Sequence, residues 1–157
     1  MPLIDIAVAR RHLRVEADYP AEQIQPYLAA AEDAAQQFLN RLVVVDQDAL
    51  VAALAAIPAA LDAAAAARTL AIEAAQNAAD AQTRCVLVEQ AQQAYVDALA
   101  AARRAGAGIV INPSIAAGIQ LTLGHLFEHR EDVASVLQEL PQGAKSLLWP
   151  YRVGLGV

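Results

Sequence analysis

Asp48-Ala-Leu-Val-Ala-Ala-Leu-Ala-Ala-Ile-Pro-Ala-Ala-Leu61 opens the alanine-dominated middle of this 157-residue chain. Leu50, Leu54, Ile57 and Leu61 recur at a 4-3-4 step, which is a helical seam, and Pro58 is expected to kink it. A second stripe of Leu87, Ala91, Ala94, Tyr95 and Ala98 runs on to Arg103, and Gly106 and Gly108 stop it. One unbroken helix of this length would span roughly 90 Å and need a partner throughout. A two-helix hairpin is more economical, with its break expected between Asn77 and Thr83. Alanine is the strongest helix former, so low complexity here predicts helix and not disorder.

The flanks follow from this centre. Leu42–Val45 and Ile109–Ile111 are short β-branched runs, able to pair across the base of the hairpin. Asn112 caps a helix with Pro113 at its first position, and its apolar face is Ile115, Ile119, Leu123, Leu126 and Phe127. Arg130 to Asp132 ends that helix; Pro141 starts a short one through Leu148, which Pro150 closes. Upstream, Asp5 caps a first helix with Ile6, Ala9 and Leu13 on one face and Arg10, Arg11 and Arg14 elsewhere. Ile24, Leu28, Ala31, Ala35, Phe38 and Leu42 mark a second helix. Pro26 is costly deep in a helix, so its regular start is expected between Glu22 and Pro26. The expectation is a mainly α fold in one domain, residues 1–157. A compact helical body (1–45 and 108–157) carries a long Ala-rich hairpin insertion (46–107), with at most a short two-stranded β element.

Composition narrows the function classes. Alanine supplies much of the 57% hydrophobic share, and no run of about 18 apolar residues lacks charges or polar breaks, so no membrane span is expected. No apolar h-region marks a signal peptide. Cys85 stands alone, so an internal disulfide is impossible and a structural role is expected for it, as for Ser114, which lacks a nucleophile-elbow context. A net charge of −6 argues against a protein whose task is gripping DNA phosphates, but not against a wall that DNA slides past.

The closing quarter, Gly124-His-Leu-Phe-Glu-His-Arg-Glu131 and Leu140-Pro-Gln-Gly-Ala-Lys-Ser-Leu-Leu-Trp-Pro-Tyr-Arg152, holds the only Trp and the only Lys. Together with His12-Leu-Arg-Val15 and Phe38-Leu-Asn-Arg41, it resembles the small head–tail connector (adaptor) proteins of tailed phages. The resemblance covers residues 1–45 and 108–152 and rests on short segments in order. It implies a ring of about a dozen copies beneath a portal, a heterologous assembly in which each copy needs two complementary surfaces. It further implies docking on the portal protein, a far face for a head-completion (stopper) or tail protein, and DNA passing through without sequence-specific binding. The location implied is the virion head–tail junction, after synthesis in a bacterial cytoplasm. The Ala-rich hairpin has no counterpart in the shortest connectors.

Several residues are candidates for contact or chemistry. Arg10, Arg11 and Arg14, with His12 between them, form a basic face that suits an acidic neighbour or DNA, or simply a solvated face. His125-Leu-Phe-Glu-His129 matches an inverted zinc-peptidase pattern, with Glu131, Asp132 and Glu139 the acids available downstream as a third ligand. A packing or subunit-contact role for His125 and Arg130 is the stronger expectation. Trp149, Tyr151 and Arg152 suit an anchor onto the first helices or a neighbouring subunit. No nucleophile, base and oxyanion set is legible, so a non-enzyme without cofactor or metal is expected. The alternatives are a small helical regulatory protein whose hairpin binds a partner helix and, third, a zinc-dependent hydrolase using His125, Glu128 and His129.

Overall fold

A computed structural model describes residues 2–129 and 140–154. Within them lie α1 (Ile6–Leu13), α2 (Ala21–Leu39), β1 (Val43–Val44), α3 (Gln47–Ala75), α4 (Ala81–Gly106), β2 (Ile109–Val110), α5 (Pro113–Glu128) and α6 (Gln142–Leu148). A 3-10 turn, Trp149–Tyr151, follows α6. The fold is mainly α, and the β element is one parallel two-stranded ladder pairing Val43 with Ile109 and Val44 with Val110. Two compact units result: Met1–Asp46 with Ile109–Val157, and Gln47–Gly108.

In the first unit, α2 and α5 pack together, α1 lies against both, and α6 covers α5. Their shared core is Ile4, Ala9, Ile24, Leu28, Ala31, Ala35, Leu39, Val43, Ile115, Ile119, Leu123 and Leu148. Each buried Ile or Leu contributes about 1.5–3 kcal/mol, whereas the alanines of α2 serve mainly to let helices approach. Gly118 has the same use on α5: a Cβ there would stand 2.9 Å from Leu148 Cγ, so α6 rests directly on its backbone.

Local signals explain the element ends. The Asp5 side chain accepts from Ala7 N at 2.7 Å, and Asn112 accepts from Ile115 N at 2.9 Å. α1 stops at Leu13 because Arg14 takes a left-handed conformation, φ 56°, and its amide returns to the carbonyls of Arg10 and Arg11. Arg14 is thus a cap and not a member of the helical face expected for it. α2 begins at Ala21, earlier than expected, and runs through Pro26. Proline withdraws one backbone bond there, and burial of Ile24 and Leu28 on either side offsets the loss. Pro150 sits inside the 3-10 turn, while α6 itself ends at Leu148.

In the second unit, α3 and α4 form the hairpin. The inward stripe of α3 is Ala53, Ile57, Leu61, Ala64, Arg68, Ile72 and Ala75; Leu54 remains 39% exposed. The small side chain of Ala53 faces α4 in place of the expected Leu54. On α4 the stripe is Val88, Ala91, Tyr95, Ala98, Ala102 and Ala105, so Leu87 and Ala94 are likewise displaced from the seam. In an alanine-rich pair the helices meet through their smallest faces, and bulkier residues move to the edges. Arg68 stacks its guanidinium over Tyr95 at 4.3 Å.

The break covers residues 76–80. Asp80 caps α4 by accepting from Thr83 N at 3.0 Å and from the Thr83 hydroxyl. These bonds hold its carboxyl below the usual aspartate range, the side-chain bond from Thr83 first.

α3 is long and apolar enough to cross a membrane, with a mean hydropathy of 1.9 over 18 residues and none of that window buried. Every 18-residue window of α3 includes Asp62, so the reading that no such run is free of polar breaks still holds. The value is carried by alanine, whose single methyl offers little area to bury.

Candidate functional site

The C-terminal strap is built onto the end of α2. Asn40 ends that helix in a left-handed conformation, φ 51°, and its side-chain amide donates to Val153 O at 3.3 Å. Val153 N donates to Leu39 O at 3.0 Å, and Arg41 Nη1 donates to Tyr151 O at 3.1 Å. The segments Phe38–Arg41 and Trp149–Val153, far apart in sequence, therefore form one structure.

On that strap the indole of Trp149 lies 6.3 Å from the Phe38 ring, tilted by 50°. Arg152 stands over both, its Cζ 5.1 Å from the Phe38 centroid and 5.8 Å from the Trp149 centroid. Both distances suit cation–π attraction. Arg152 Nε is buried and finds no hydrogen-bond partner among the described residues. Trp149 nevertheless keeps 54% of its surface exposed, unusual for a chain's one tryptophan. Tyr151 is half-buried and packs on the core. Trp149 is anchored on α2 yet offers most of its ring outward.

The basic residues near the N-terminus separate into different roles. Arg10 is half-buried, and its Nε donates to Tyr19 O at 3.0 Å, pinning the loop after α1. Arg11 and His12 are exposed on α1, and Arg14 is exposed in its cap. The His12 ring approaches α5, where a Cβ on Gly124 would lie 3.4 Å from its Nε2.

His125 and His129 do come together, their rings 4.6 Å apart, with His129 Nδ1 3.1 Å from His125 O. Nδ1 is the donor in that contact, since a carbonyl can only accept. Among the described residues, no group of three or more His, Cys, Asp or Glu is placed to hold a metal ion. Glu131, Asp132 and Glu139, the acids considered as a third ligand, and Arg130, considered as a contact, lie outside the described residues. Cys85 is exposed on α4 with its thiol 3.6 Å from Glu89 Oε1, so it has no part in a core.

Glu32 is a polar residue the sequence stripe concealed. It is 9% exposed on α2, and Oε1 accepts from Leu3 N at 2.8 Å and Ile4 N at 3.0 Å. Burial pushes its carboxyl above the usual glutamate value, and the two backbone bonds offset this only in part. The available signal was a charge set one place beyond Ala31, inside an apolar stripe.

A shallow groove lies in the first unit, lined by Leu3, Ile4, Val8, Ile111 and Ala116, with Asp5 and Gln120 among its polar borders. Comparison with protein-family models, curated proteins and solved structures finds no match to this chain.

Proposed function

We propose that this protein is a structural head–tail connector of a tailed phage or prophage. It docks on a portal ring and extends the DNA channel toward the tail. One observation carries this: the sole tryptophan, held in place by Phe38 and Arg152, is turned outward on a strap tied to α2. Exposed aromatic rings beside an arginine are what protein contacts are built from, and folding alone gives no reason to leave this one out. The segments joined there are among those that carry the resemblance to connector proteins. Copies of the chain close into a ring, the portal protein and a stopper or tail protein bind opposite faces, and the acidic wall keeps DNA from adhering.

The test uses the cognate portal protein. The folded chain should co-sediment with the portal ring, and electron microscopy should show an added ring of density at one end. A folded chain that leaves the portal unoccupied at high micromolar concentration would refute the proposal.

A helical recognition module is the second candidate, favoured by α3. That helix is apolar around its circumference, while α4 covers one side of it. It predicts that deleting residues 47–108 abolishes partner binding, whereas a connector body would still dock.

A further inference from the structure

The groove and the helix leading into the tryptophan, α6, lie on opposite flanks of α5. Gly118 lies beneath Leu148, one residue before Trp149. Ala116 and Gln120 sit two places to either side of Gly118, about 160° around α5 at ~100° per residue. Ala116 and Gln120 line the groove, so it opens on the flank of α5 turned away from α6. One flank therefore carries an aromatic knob with a cation beside it. The other carries an apolar hollow of about 310 Å³, bordered by the carboxylate of Asp5.

We infer that Trp149 and Arg152 of one copy dock into this groove of the next copy, joining copies head to tail. The indole covers Leu3, Val8 and Ala116, and the guanidinium meets Asp5. The occupant is a second copy because knob and hollow are complementary in charge: Arg152 stands beside the knob and Asp5 borders the hollow. Asp5 is exposed and bound through one oxygen to Ala7 N, while half-buried Arg152 sets its positive guanidinium beside the exposed Trp149 ring. On a chain of net charge −6, most contacts between copies set like charges together, and this one sets a cation against an anion. Two different surfaces on opposite flanks give a heterologous contact, which yields a ring if the rotation closes and a filament if it does not. This deepens the connector proposal and rests on it.

Two variants and their mixture test the pairing, read by sedimentation velocity and light scattering from about 1 μM to 1 mM. Trp149→Ala removes the knob and, being largely exposed, leaves the core intact; Ala116→Phe fills the hollow. The wild type should associate with rising concentration. Each variant should weaken association by about 30-fold or more, with its circular dichroism unchanged. An equimolar mixture retains one intact knob and one intact hollow, so it should form dimers that grow no further. Asp5→Asn keeps the α1 cap and loses only the charge, so it should weaken association with the fold preserved.

A wild type that stays monomeric throughout, variants that associate undiminished, or a mixture no better than its components would each overturn the pairing. If the same chains still occupy a portal ring, only the knob-and-hollow contact is lost and the connector proposal stands. If they do not, that proposal falls by its own test.

Discussion

Replacing Glu32 by alanine leaves the amides of Leu3 and Ile4 without their shared acceptor. Ile4 is buried, so its amide cannot turn to water, and a stranded buried donor costs about 1–3 kcal/mol. The Leu3 amide is partly exposed and recovers most of its loss through solvent. Adding the packing lost with one methylene and the carboxyl group, the expected destabilisation is about 3 kcal/mol, or about 10 °C in Tm. Glu32→Gln is the informative partner, because it keeps an acceptor oxygen but carries no charge to desolvate. It should lie within about 1 kcal/mol of wild type at neutral pH.

The pH dependence has a definite sign. The carboxyl is raised in the folded protein, chiefly by burial, so the native state holds its proton more tightly than the unfolded chain does. Its contribution to stability is full below the ordinary value of 4.5 and is lost as pH rises through the higher folded value. Urea unfolding of the wild type and Glu32→Gln, from pH 4 to pH 7, should show the glutamine variant gaining on the wild type as pH rises. A wild type that gains instead would show that the two amide bonds outweigh burial, refuting the reasoning.

At Gly118, alanine should destabilise the body by about 1–3 kcal/mol despite its better helix propensity, because its methyl meets Leu148 at 2.9 Å. Pairing it with Leu148→Val should recover part of the loss, and a double-mutant cycle measures the coupling. At the hairpin turn, Asp80→Ala should speed amide exchange at the start of α4, since the cap on Thr83 N disappears. The Asp80 carboxyl is lowered, so its stabilisation is present above the ordinary 3.8 and fades as pH falls through the depressed value. Asp80→Asn should keep slow exchange and abolish that acid dependence.

Helix positions were largely legible because period and punctuation agree in this chain. Asn112–Pro113 and Asp5 announce their helices chemically, and the structure uses both as caps. The period places Ile57, Leu61, Ala91, Tyr95 and Ala98 on the hairpin seam, as observed, but it misplaces Leu54, Leu87 and Ala94, because in a pair dominated by alanine the close approach on α3 belongs to Ala53. Arg14 was placed on a helical face because nothing local to a non-glycine residue signals a left-handed cap. The strap was less legible still. Its anchors, Asn40 and Arg41, act on carbonyls more than a hundred positions away, and backbone acceptors leave no trace in side-chain pattern. Trp149 was expected as an anchor; that it would be held on one side and bare on the other depends on Phe38 and Arg152 arriving together.

The setting of Trp149 makes the protein its own optical reporter. With a single indole in the sequence, long-wavelength emission comes from one place, without labelling or deconvolution. Half-open to water, that emission has room to shift to the blue when another surface closes over the ring. The neighbouring Arg152 cation would draw iodide in preference to caesium, so collisional quenching by the two ions should differ sharply in the free chain. The difference should vanish when the indole is covered.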